Sequence, residues 1–224
     1  MRDWALGLAN RISGKLDLLL REDSPPLVTS NSTPAPDAVP AWSVWLTQWP
    51  GSALAFLWGF AEGTLFFILP DVPLSLAALY RPRRALLQAV AIVCGAVLAG
   101  AVMFLWASYS PSARLAVAHV PLVRPGMFQR SEADYARFGI WAVSLGPIRG
   151  IPYKVYAVEA PEHCGLGSFL LVSVPARMMR LLVVWLIFAA AGAVLRALRR
   201  VSLAPVLHGL VWIVVYVAYW AKVR

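Results

Sequence analysis

Cysteine, histidine and acidic side chains are all scarce in this chain: two, three and eleven among 224 residues. Cys94 falls inside an apolar run and Cys164 beside a polar turn, so no disulfide framework and no thiolate metal site is expected. His119, His163 and His208 are far apart, which excludes a His-Glu-x-x-His metalloprotease motif. No acidic cluster has the spacing to hold Mg²⁺, so neither a metal nor a cofactor is expected. An intramembrane serine protease would need a serine and a histidine at one depth. Ser144 and Ser173 qualify by position, but no histidine is expected at their level. Charge of either sign is also thin, at 14% of residues, where soluble domains carry about a quarter. That leaves too little polar surface to cover the apolar residues of a water-soluble fold.

What the chain has instead is long apolar runs. Hydrophobic residues make up 60% of it, and the mean hydropathy is +0.68. Residues 85–107 carry no charge and are long enough for a bilayer, which takes ~20 helical residues. Residues 181–195 and 205–221 are further apolar runs, and 41–61 is a fourth, rich in Trp. The expected fold is an all-α polytopic membrane protein. The net charge of +9 sits at the ends of these runs. It points to loops on the cytoplasmic side and to anionic lipid headgroups, not to nucleic acid. Positive-inside counting puts 81–84 and 196–200 on that side.

Three regions follow one another. Residues 1–23 place Trp4, Leu8, Ile12 and Leu16 at helical spacing and read as an amphipathic helix. They hold four basic and four acidic residues, which does not fit a cleaved secretory signal. Residues 24–40 are rich in Pro, Ser and Thr and read as a linker. Residues 41–224 form the membrane domain. Within it, Ala91, Gly95 and Ala99 set up a small-residue face on the 85–107 helix. Ser131 with Asp134 reads as the start of a short helix in a connecting arm at 108–137. Residues 166–195 read as a helix interrupted by Pro175.

Two stretches depart from this pattern. Residues 62–79 combine an apolar character with Glu62, Pro70, Asp71 and Pro73. Residues 138–160 do the same with Pro147, Arg149, Gly150, Pro152, Lys154 and Glu159. Proline breaks helices, and broken backbone survives at membrane depth only where protein or a wet cavity satisfies it. Both stretches are therefore expected to be re-entrant helical hairpins, each followed by a long helix, the mark of an inverted repeat. A charge at helix-centre depth costs about 2.5–3.5 kcal/mol. The economical solution is for the hairpins to meet, Glu62 and Asp71 against Arg149 and Lys154. Buried ionisable groups of this kind mark an ion, proton or substrate path. Arg149 and Lys154 beside broken backbone suit a phosphate, and Glu62 suits a proton.

Glu62 followed by FILPDVPLS resembles the first re-entrant motif of the DedA membrane proteins, also called the SNARE-associated or VTT-domain superfamily. Arg149-Gly150-Ile151-Pro152 resembles the later Arg-x-x-Pro motif, with Lys154 nearest to the place of the second arginine, as in YqaA-like members. FLLVSVPARMMRLLVV resembles the next helix, with Arg177 and Arg180 at the matching positions. The resemblance covers residues 50–195. It implies a transporter or flippase that moves a phospholipid or polyprenyl phosphate across a bacterial inner membrane, coupled to protons. Glu62 and Asp71 would respond to protons, and Arg149 would hold the phosphate with Lys154, Arg177 and Arg180 nearby. Pro70, Pro73 and Pro152 would shape the hairpins. Expected partners are lipids, protons and further copies of the chain. A membrane-integral scaffold or assembly factor and an intramembrane enzyme stay open as alternatives.

Overall fold

A computed structural model describes residues 41–66 and 71–223, all within one compact unit, Pro36–Arg224. The helix expected over 1–23, the linker over 24–40 and Pro70 lie outside the described residues. Every regular element among those described is helical. In chain order they are α1 (Ala41–Leu46), α2 (Trp49–Gly63), α3 (Asp71–Tyr80), α4 (Pro82–Tyr109), α5 (Ser112–Ala118), α6 (Pro125–Phe138), α7 (Gly146–Arg149), α8 (Tyr153–Glu159), α9 (Leu166–Ala197) and α10 (Ala204–Val223). Short 3₁₀ turns precede α7, follow α8 and join α9 to α10.

Three stretches are helical, long and apolar enough to cross a bilayer: Pro82–Tyr109, Leu166–Ala197 and Val201–Ala218. The chain is a membrane protein on this ground. The Trp-rich run at 41–61 is not a fourth: it divides at Thr47 and Gln48 into α1 and α2. Pro50, Pro82 and Pro125 stand in the first turns of α2, α4 and α6. An N–H missing there has no helical partner to lose, and the fixed φ suits the helix.

Two expectations about helix ends fail. Pro175 does not interrupt α9, which runs through it. The ring deletes one backbone bond, and the apolar surroundings favour closing every other one. Ser131 starts no helix either. It lies inside α6, its hydroxyl donating to the Phe128 carbonyl at 2.8 Å, while Pro125 supplies the start. Phe128, Ser131, Asp134 and Tyr135 form the buried stripe of α6.

Helices α2 and α4 approach backbone to backbone through glycine. A Cβ on Gly59 would lie 2.2 Å from the Ile92 carbonyl oxygen, and one on Gly95 only 2.0 Å from that of Phe56. The small-residue face read at Ala91, Gly95 and Ala99 is thus the bed for α2. Long helix α9 then packs on α3 and α4, with Leu181 in a core shared with Leu74, Ala85 and Ile92. A second core gathers α5, α6, α8, the C-terminal half of α4 and the start of α9 around Met103, Val117, Tyr156 and Phe169.

Candidate functional site

The site grows from α9. Arg177 and Arg180 are three residues apart, hence on one helix face. The ends of α2 and α3 present one acid each to that face. Arg177 pairs with Glu62 and Arg180 with Asp71. All four side chains are largely buried, Glu62 and Asp71 to 8% and 4% exposure. A buried charge without a partner is costly, and pairing with hydrogen bonds offsets most of that cost. The expected pairing of these acids with Arg149 and Lys154 is therefore corrected. The acids close their ion pairs with α9; of the bases in the second broken segment, Lys154 reaches the same cavity and Arg149 does not.

Tyr153 seats Arg177 from below. The guanidinium lies 4.6 Å from the centre of the Tyr153 ring. The ring is held by stacking on Phe169 and by a hydrogen bond from its hydroxyl to Ser173 Oγ at 3.0 Å. A cation over an aromatic face is stabilised further when desolvated.

Lys154 is 2% exposed. Its ammonium donates to the Phe66 carbonyl and has no ion-pair partner among the described residues. It faces the same space as the two ion pairs, a cavity of about 330 Å³. Ligand pockets usually span ~300–1,000 Å³. Pro147, Gly150 and Pro152 form one wall, and Trp212 and Val215 of α10 close another. Pro152 is the extended residue that opens α8. Gly150 turns the chain at φ +68°, a left-handed conformation that favours glycine. Pro73 lies in the first turn of α3, where proline is tolerated.

Arg149 points elsewhere. Its guanidinium bonds Asp134 at 2.8 Å and remains 40% exposed. Asp134 also accepts from the Tyr156 hydroxyl at 2.7 Å, and the Tyr135 hydroxyl donates to the Tyr156 carbonyl at 2.9 Å. Burial pushes the Tyr135 phenol above its ordinary value, which keeps it a donor. This network ties the α7 end to α6 and so fixes the wall that Gly150 and Pro152 present. The sequence presents Asp134 only as a capping partner of Ser131 in a polar connecting arm, so its role as counter-charge to Arg149 was missed.

A second polar cluster holds α10. Ser75 Oγ lies 2.9 Å from His208 Nε2 and accepts from Trp212 Nε1 at 3.0 Å. Phe188 of α9 stacks parallel to Trp212, ring centres 6.4 Å apart. A serine and a histidine do meet in the fold, though the serine is neither Ser144 nor Ser173. The serine concerned is Ser75, on a short helix that the sequence presents only as part of a broken segment. Ser75 is fully buried and its hydroxyl is engaged on the Val72 carbonyl as well, so it acts as a clamp.

No family model, curated protein or solved structure matches the chain.

Proposed function

We propose that the protein is a membrane transporter or flippase for a phosphate-bearing lipid, a phospholipid or polyprenyl phosphate, as the DedA resemblance implies. One observation carries this reading. A cavity within a bundle of membrane-spanning helices holds two closed ion pairs and one extra cation, Lys154. Among the described residues, the formal charge of its lining is one positive in excess, which suits a lipid phosphate. A volume of about 330 Å³ accommodates a headgroup, with acyl chains left to the apolar side formed by α10.

The broken segments support the same reading. Helices α2 and α3, of 15 and 10 residues, are each too short to cross alone. The first ends at Glu62 and Gly63, and the second begins at Asp71. The segment 139–162 is broken again into short helices, and each broken segment precedes a long helix. We read these as two re-entrant units in an inverted repeat, the arrangement transporters use to build a site at mid-depth. Protons would act at Glu62 and Asp71. Protonating either acid frees its arginine for phosphate. The setting we propose is a bacterial inner membrane, which carries a proton gradient.

The test is translocation of labelled phospholipid and labelled polyprenyl phosphate in liposomes. Wild-type protein should accelerate one of them, faster still under an imposed pH gradient. Lys154→Met should lower the rate at least tenfold with unchanged melting behaviour, because Lys154 closes no ion pair. A Lys154→Met protein moving lipid at the wild-type rate would overturn the assignment.

A further inference from the structure

Six arginines meet at one end of the bundle, away from the cavity: Arg81, Arg83 and Arg84 where α4 begins, and Arg196, Arg199 and Arg200 where α9 ends. The two groups are neighbours in space. Arg196 Nη1 donates to the Leu79 carbonyl at 2.8 Å, and Trp185 Nε1 donates to the Pro82 carbonyl at 2.6 Å. Leu79, Tyr80, Leu195, Val201 and Ala204 pack together beneath them.

Among the described residues, no acidic side chain pairs with Arg83, Arg84, Arg196, Arg199 or Arg200. The chain has no Asp or Glu between Val72 and Ser131, and none from His163 to Arg224. Arg83 Nη1 is buried without a hydrogen-bond partner among the described residues. Basic groups at the start of α4 also oppose its macrodipole. The chain tolerates a further local cost to present this charge. Arg199 has φ +54°, at the helix-ending position where glycine is usual. The turn closes by Arg200 N–H to the Leu195 carbonyl and Arg199 N–H to the Arg196 carbonyl, and both arginine side chains are exposed.

We infer that this arginine cluster is a binding surface for anionic phospholipid headgroups, distinct from the cavity and independent of any transport. Both groups stand at the ends of membrane-spanning helices, which is headgroup level. Arginine forks match phosphate oxygens, and basic groups between helix ends on the cytoplasmic side recruit acidic lipid. The partner is the anionic lipid of the leaflet that this end faces.

The experiment measures the melting temperature of the full-length protein in phosphatidylcholine nanodiscs, with and without phosphatidylglycerol replacing part of the lipid. Phosphatidylglycerol should raise it, and added salt should shrink the rise. The variant Arg84→Gln, Arg199→Gln, Arg200→Gln should melt like wild type in pure phosphatidylcholine and lose most of the rise. The Lys variant at the same three positions should keep it. Should the triple Gln variant not fold, the exposed pair Arg199→Gln, Arg200→Gln must lose part of the rise. A rise equal to wild type in the Gln variants, or no rise in wild type, overturns the inference.

Discussion

Removing Arg180 while keeping Asp71 leaves a carboxylate buried without a counter-charge. Breaking a buried pair from one side costs about 3–5 kcal/mol, so Arg180→Ala should lower the melting temperature sharply in detergent. Adding Asp71→Asn to the same chain should restore most of the loss, since the uncompensated charge is then gone. Tyr153→Phe keeps the ring beneath Arg177 and deletes only the bond to Ser173. Its cost should be about 1 kcal/mol, visible as a small shift in chemical or thermal unfolding. The charged residues themselves were legible in the sequence, because ionisable groups in apolar runs stand out. Their partners were not. Pairing depends on which helix faces which, and the hairpin motifs drew Arg149 and Lys154 into the place that α9 supplies. One local signal pointed the right way: Arg177 and Arg180 are spaced to share a face, as two acids on neighbouring helix ends require.

Glycines set how closely helices pack. Gly95→Val would push a side chain into the Phe56 carbonyl, and Gly59→Val into that of Ile92. These contacts are to backbone, which cannot rotate away, so each variant should give little monodisperse protein on size-exclusion chromatography. The small-residue spacing in 85–107 was readable, and the structure supplies its mate, Gly59 of α2. The clamp on α10 was not readable, since Ser75 and His208 are joined only by the fold. Ser75→Ala strips His208 and Trp212 of a shared partner. Hydrogen exchange should then accelerate across α10 and leave α4 unchanged. The misread helix ends have different causes: Pro175 is exposed on a helix whose apolar surroundings favour closing the other backbone bonds, whereas Ser131 is buried inside α6.

The three long apolar stretches needed nothing beyond composition to be found, and each is helical. Their mutual direction follows from the Arg196 contact with Leu79, which puts the end of α9 beside the start of α4. Ser112 and Ser202, both exposed, then lie at opposite ends of the bundle. With Cys94→Ala and Cys164→Ala as background, Ser112→Cys and Ser202→Cys should react with a membrane-impermeant maleimide from opposite sides. Labelling from the same side would mean that α4 does not cross.

The Lys154 ammonium, without an ion-pair partner among the described residues, has an electrical meaning. Empty, the cavity lining carries one elementary charge; filled by a monoanion, it carries none. On the transport reading proposed above, and with both acids ionised, such a carrier would reorient without sensing the membrane voltage when loaded and would sense it when vacant. The field acts on the return stroke with about 2.3 kcal/mol per elementary charge per 100 mV. Turnover in polarised vesicles should therefore respond to voltage even where the translocated complex is neutral.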